Sequence, residues 1–231
     1  MTVTSDASSV SDEDRTALTD TVTRFARTEI APHVGAWDAA GEFPRSLYRR
    51  AADLGLLGLG YPERYGGTPA SYALRLPLWR ALSRHGASGG VLASLLSHNI
   101  GLPPVVAHGS ESLQRRIVPA VLAGEKIAAL AITEPGGGSD VAALKTTAVR
   151  DGDHYVVNGE KTFITSGMRF DWISLAVRTD PENPGPGGIS MLAVPGDLPG
   201  ITRSPLKKMG WLCSDTALLH FDSVRVPVEN L

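Results

Sequence analysis

The apolar positions of this chain change their period near residue 127. Upstream, Leu18, Val22, Phe25, Ile30, Val34 and Trp37 recur at helical spacing, forming one stripe that Ser11 or Asp12 can cap and Pro32 should interrupt. A second helix opens at Phe43-Pro44, carries Leu47, Ala51 and Leu54, and stops at Gly55. A third is expected over residues 71–84, although Pro77 breaks its pattern. Residues 88–100 are small and apolar all round, as in a buried central helix. A short piece follows at Pro103-Pro104. Ser110 then caps a helix with Leu113, Ile117 and Val121 on one face, which Gly124 ends. Such short connections predict a bundle.

Downstream the period is two. Residues 145–150, 154–157 and 160–165 read as a three-stranded meander, with Asp151-Gly152 and Asn158-Gly159 as its hairpin turns. Further strands are expected over 172–179, 189–194, 201–205 and 217–226, with an exposed Pro- and Gly-rich loop over 181–188. The fold class predicted is therefore α+β. An all-helical N-terminal bundle (11–126) is followed by a small antiparallel β-barrel or sandwich (127–231). Residues 1–10, polar and rich in Ser and Thr, read as a disordered lead-in.

Composition narrows the function. Twenty-two Lys and Arg against 24 Asp and Glu give a formal charge of −2, which argues against a nucleic-acid groove. The single cysteine, Cys213, permits no intrachain disulfide and suggests a reducing, cytoplasmic setting. No stretch approaches transmembrane length, and no HExxH or CxxC spacing suggests a metal.

The change of period falls at Ile132-Thr133-Glu134-Pro135-Gly136-Gly137-Gly138-Ser139-Asp140. Three adjacent glycines remove any side-chain wall and allow positive φ. Such a loop can fold its N–H groups around an anion, lie flat on a planar ligand, or simply connect two halves.

Four ordered pieces together resemble the acyl-CoA dehydrogenase family: Gly58 to Gly67 (GLGYPERYGG); Gly124-Glu125-Lys126 leading to Thr133 through Asp140; Asn158-Gly159-Glu160-Lys161 with Phe163-Ile164-Thr165; and Lys208-Met209-Gly210-Trp211 with Ser214-Asp215-Thr216 and the run from Phe221 to Pro227. The resemblance implies FAD as cofactor. It places the backbone of Leu130, Ile132 and Thr133 and the Thr133 hydroxyl at the flavin pyrimidine, with Gly138 in the flavin-binding loop. Ser139 falls at the flavin diphosphate or the CoA, Phe163 and Ile164 beside the ring, and the Thr165 hydroxyl near N5. Ser214 is a weaker CoA contact. Read as ordinary residues, Thr133 could cap the loop, Ser139 or Asp140 could cap a turn through Ala142, and Phe163 and Ile164 could be strand core.

The chain departs from the family at Phe163, where Trp is common, and at Gly137, where Ala is frequent. A C-terminal helical domain carrying the catalytic glutamate should follow Leu231, so no catalytic residue is assigned here and the chain alone is expected to be inactive. Glu134 belongs to the loop rather than to the chemistry. The partners implied are an acyl-CoA thioester and an electron-transfer flavoprotein or similar acceptor, in a homodimer or homotetramer. A non-catalytic binding module, and an oxidase, monooxygenase or carrier-protein dehydrogenase on the same fold, are the alternatives.

Overall fold

The computed structural model describes residues 11–231, so the expected lead-in lies outside the described residues. Helix α1 (Asp12–Phe25) starts where Ser11 Oγ accepts from Asp14 N at 3.0 Å, with three acidic residues in its first turn. Pro32 lacks an N–H, so the α ladder cannot pass it. The helix widens to a π turn over Ala26–Ile30, tightens to a 3-10 turn over Ala31–His33, and resumes as α2 (Val34–Ala40). α3 spans Ser46–Asp53.

Pro77 does not have the effect expected of it. α4 (Tyr72–His85) runs through it, because Leu78, Ala81 and Leu82 are buried and the helix packs along α1. Tertiary burial there outweighs one lost backbone hydrogen bond.

The central helix expected over 88–100 is instead two pieces, α5 (Gly89–Leu95) and α6 (His98–Gly101), and the short piece expected at Pro103-Pro104 is α7 (Pro103–His108). Nor is it apolar throughout, since Ser94, Ser97 and His98 are all buried. At the break Ser97 Oγ donates to Ala128 O at 2.9 Å and His98 Nε2 meets Leu57 O at 3.0 Å. Ser97 thus ties the bundle to the first strand, and His98 ties two segments of the bundle to each other. α8 (Glu111–Leu122) is capped by Ser110 Oγ, which accepts from Leu113 N.

Burial pushes the His98 pKa down to about 4, against bonds to Leu57 and Leu95 that raise it. The unfolded chain then binds more protons than the folded one between the ordinary value of 6.5 and about 4. Stability should fall with acidification across that window, with a slope approaching about 1.4 kcal/mol per pH unit, and level off below it. Urea titrations from pH 7 to 4 check this. His98→Gln should flatten that component of the slope, and an unchanged slope would refute the assignment.

The strands are β1 (Ala128–Ala131), β2 (Thr147–Asp151), β3 (His154–Thr165), β4 (Trp172–Arg178), β5 (Ile189–Pro195), β6 (Ile201–Pro205) and β7 (Thr216–Pro227). They form one curled sheet. β5 lies antiparallel along one edge of β4, while β1 and then the start of β2 lie parallel along the other. β2, β3, β7 and β6 continue it antiparallel. The sheet is therefore mixed, not purely antiparallel as expected. Period-two patterning reports which face a residue occupies and is silent on strand direction.

A second correction concerns Asn158-Gly159. It makes no hairpin, and β3 runs straight through it. Asn158 Oδ1 accepts from Ser223 N at 2.8 Å, holding a bulge on β7 where Ser223 has φ 54°. Gly159, at φ +146°, passes so close to Thr146 that a Cβ would lie 2.7 Å from its Cα. The glycine serves a close approach rather than a turn. The real hairpin turns at Gly152, φ +62°.

The bundle core gathers Phe25, Leu47, Leu57, Leu82 and Leu95, and the sheet core gathers Val157, Leu175, Leu192, Leu219 and Phe221. A third cluster, with Leu102, Ile117 and Val118 against Ala128 and Ala193, joins the two.

Candidate functional site

The Gly-rich loop leaves β1 and doubles back at once. Glu134 N donates to Gly137 O at 3.0 Å and Gly137 N returns to Glu134 O at 3.1 Å, so Pro135-Gly136 form the tip of a tight turn. None of the three glycines adopts positive φ, contrary to one reason for expecting them. Gly138 is small because a Cβ would press on Thr133 Cγ2 at 3.1 Å. Gly136 and Gly137 face nothing within 4 Å, and the loop from Pro135 to Asp140, Ser139 included, is exposed.

Glu134 anchors the loop. Its carboxylate accepts from Lys145 N (2.7 Å), Thr146 N (2.8 Å), Thr146 Oγ1 (2.6 Å) and Lys161 Nζ (2.9 Å). The Lys161 side chain is fully buried and also donates to Ile132 O at 3.0 Å. Burial would raise the Glu134 pKa. The bonds from Thr146, Lys161 and the two amides outweigh it and hold the carboxyl below its ordinary range. A carboxylate committed to four donors is a structural anchor and a poor base. Thr146 and Lys161 were not singled out by sequence reasoning. A buried lysine in a strand carries no sequence signal beyond its place between Gly159 and Ile164.

Thr162 N donates to Thr133 O at 2.9 Å, so the loop motif and the β3 motif are joined directly. Just beyond, β3 carries one extra residue relative to β7, between Lys161 and Ile164. That bulge sets Phe163 at φ 59°, a left-handed conformation costly for a bulky residue, and turns its ring outward to 70% exposure. Phe163 is therefore not strand core, whereas Ile164 is, at 3% exposure. Thr165 pairs across from Thr216. Neither the Thr133 nor the Thr165 hydroxyl has a side-chain hydrogen-bond partner among the described residues. Leu130 is half-buried on β1, in register with Ser174.

Ser166 follows, again left-handed (φ 60°) and buried, with its hydroxyl donating to Ser97 Oγ at 3.1 Å and its N–H to Asp215 O at 2.9 Å. Asp215 in turn holds Met168 N at 2.9 Å and Arg169 Nε at 3.0 Å. This network locks the turn after Thr165 to the segment before β7 and to the bundle.

Ser214, expected as a weaker CoA contact, faces the interior. It is 2% exposed and its hydroxyl bonds Ser94 Oγ on α5 at 2.8 Å. In this conformation it serves the joint between bundle and sheet instead of an open surface. Trp211 seats its indole on Gly89 of α5, where a Cβ would lie 2.6 Å from Nε1. Among the described residues no cluster of three or more metal-ligating side chains exists, and no single helix is long and apolar enough to cross a membrane.

Comparison with known proteins follows this geometry. Residues 12–125 match the family model of the acyl-CoA dehydrogenase N-terminal domain, and residues 129–224 that of the middle domain. Cyclohexane-1-carbonyl-CoA dehydrogenase of Geobacter metallireducens is 37% identical over 221 residues, covering 95% of this chain and 57% of that protein. A Mycobacterium smegmatis crystal structure assigned as an acyl-CoA dehydrogenase is 49% identical with a TM-score of 0.92, covering 96% of this chain and 58% of that one. A Bacillus anthracis acyl-CoA dehydrogenase solved in complex with FAD is 32% identical with a TM-score of 0.85, covering 96% of this chain and 37% of that one. The chain thus spans little more than half the length of the first relatives it matches. With both of its halves matched in order, by sequence and by fold, this chain belongs to the acyl-CoA dehydrogenase family.

Proposed function

We propose that this chain forms the flavin-binding side of an enzyme that removes the α- and β-hydrogens of an acyl-CoA thioester, with FAD as cofactor. The observation that carries this reading is Phe163. A phenyl ring held outward by a bulge in a left-handed backbone conformation, with two unpartnered hydroxyls on the joined loop and strand motifs, is strain of the kind that gathers at ligand sites. The residues fit the group. Phe163 offers an aromatic face, the Thr133 and Thr165 hydroxyls offer donors for a flavin edge, and the bare Gly136 backbone and the exposed Ser139 offer N–H and O–H groups for a diphosphate.

FAD, when bound, supplies the acceptor for the β-hydrogen as hydride. This chain's part is to hold it. The loop cannot drift, because Glu134 is tied at four points to Lys145 and Thr146, just before β2, and to Lys161 of β3. Thr165 cannot drift, because Ser166 is tied to Ser97 and Asp215. Since Glu134 is fully engaged, we assign the proton-abstracting base to no residue of this loop. Re-oxidation by an electron-transfer flavoprotein or similar acceptor, a homo-oligomeric state, and a cytoplasmic setting suited to the buried Cys213 thiol complete the proposal.

Anaerobic stopped-flow mixing with saturated acyl-CoA thioesters tests it. In the FAD-loaded holoenzyme, Thr165→Val should slow flavin bleaching by about tenfold or more, the effect of losing one hydrogen bond to a developing charge. An unchanged trace removes that role. The 231-residue chain mixed with FAD and substrate should leave flavin absorbance unchanged, and stoichiometric bleaching would mean that a base lies within it.

A further inference from the structure

The loop that follows β3 lines a cleft of about 670 Å³, together with α8, Arg45 just before α3, the start of β4, the end of β5 and the middle of β6. Its walls carry five cations, Arg45, Arg116, Lys126, Arg169 and Arg203, and only two carboxylates, Asp171 and Asp197. Most of the cations have partners. Asp171 takes both Arg45 and Lys126, Arg169 pairs with Asp215 at 3.0 Å, and Arg116 with Glu229 at 3.2 Å. Arg203 alone of the five has no carboxylate within ion-pair distance among the described residues.

The surroundings of Arg203 are built. Its guanidinium lies 4.4 Å from the centroid of the Phe170 ring, and Nη2 donates to Gly196 O. A Cβ at Gly196 would come within 3.0 Å of that Nη2 and 2.3 Å of Phe170 O, so the glycine makes room for the fork. Two guanidinium nitrogens of the lining arginines, Arg203 Nε and Arg169 Nη2, are closed to solvent behind this wall and have no acceptor among the described residues, and the Arg169 side chain is itself nine-tenths buried. Buried donors are rarely left unpaired. Burial also pushes the Arg203 pKa down, partly opposed by Asp171.

We propose that this cleft binds a phosphate-type oxyanion, free or carried as a monoester, with Arg203 as its principal ligand and Arg169 behind it. A tetrahedral oxyanion presents several acceptors to a guanidinium fork and supplies the missing negative charge. The proposal is independent of the flavin reading, since its residues are separate from the Gly-rich loop and Phe163.

Calorimetric titration at constant ionic strength, set with sodium chloride, tests it with two probes, inorganic phosphate and glycerol 3-phosphate. Saturable binding of either is expected, weakened about tenfold or more in Arg203→Gln. Tighter binding of the monoester would identify an esterified group as the natural source, and equal or tighter binding of phosphate the free ion. No saturable binding of either probe, or the same affinity in Arg203→Gln, would overturn the proposal. Should Arg203→Gln fail to fold, the Arg203 Nε–H resonance of the unmodified protein decides. A saturable shift with phosphate supports the site, and indifference to phosphate overturns it.

Discussion

Glu134→Ala is expected to destabilise the protein by about 3–5 kcal/mol. The substitution strands Lys161, whose side chain is fully buried, without its carboxylate. It also removes the acceptor of Lys145 N, Thr146 N and Thr146 Oγ1. The cost is that of an uncompensated buried charge and orphaned donors, not the net worth of the pair. Converting Lys161 to Met in the same chain should therefore recover a large part of the loss, because a buried ion pair and an apolar replacement of similar volume are often nearly equivalent. Urea unfolding of the two single variants and the double variant checks this. A loss under about 1 kcal/mol for Glu134→Ala, or a strictly additive double variant, would mean that the anchor does not hold the loop.

The same group sets a pH dependence. The folded Glu134 pKa lies below its ordinary value of 4.5, so its contribution is fully present above 4.5 and is lost as pH falls from there through the folded value. This window lies below most of the one assigned to His98, so the two can be separated along one titration.

Phe163→Gly is expected to weaken FAD binding by about a hundredfold while leaving stability unchanged or slightly improved. The ring is 70% exposed and makes few contacts within the chain. Covering roughly 100 Å² of it with a flavin is worth about 2.5 kcal/mol, before any stacking preference. On the folding side, a bulky residue in the left-handed region costs roughly 1–2 kcal/mol, which glycine relieves. Glycine returns about 0.5–1 kcal/mol of that through the extra freedom of the unfolded chain. Flavin fluorescence titration and urea unfolding of the same preparation read both quantities. Unchanged FAD affinity would remove Phe163 from the site. A loss of stability above about 1 kcal/mol would show that the ring is held outward by packing rather than against strain.

What the amino-acid sequence determined by itself was whatever depends on near neighbours. The change of period near residue 127 separated helices from strands, because burying one face imposes 3.6 or 2 residue spacing on each element wherever it packs. The Ser11 and Ser110 caps and the disruption at Pro32 were legible because each acts within a single helical turn. The loop at Thr133 to Asp140 and the motif at Phe163 to Thr165 were legible as candidates for one site because, with two further pieces in the same order, they resemble the flavin-binding segments of the acyl-CoA dehydrogenase family. Only the tertiary structure decided the rest. Strand direction at β1, β2 and β4 depends on how the chain returns across the sheet, and alternation carries no sign for it. The central helix breaks at Leu96-Ser97, where the Ser97 hydroxyl bonds Ala128 O, a partner 31 residues away. Asn158-Gly159 became a close crossing because Thr146 and Ser223 lay beside it. Ser214 turned inward because Ser94, 120 residues earlier, met it. Lys161 was buried and Phe163 expelled by one extra residue in β3, counted only against β7. Each of these outcomes is a contact between segments distant along the chain, and such contacts are fixed by the packing of whole elements rather than by any local preference.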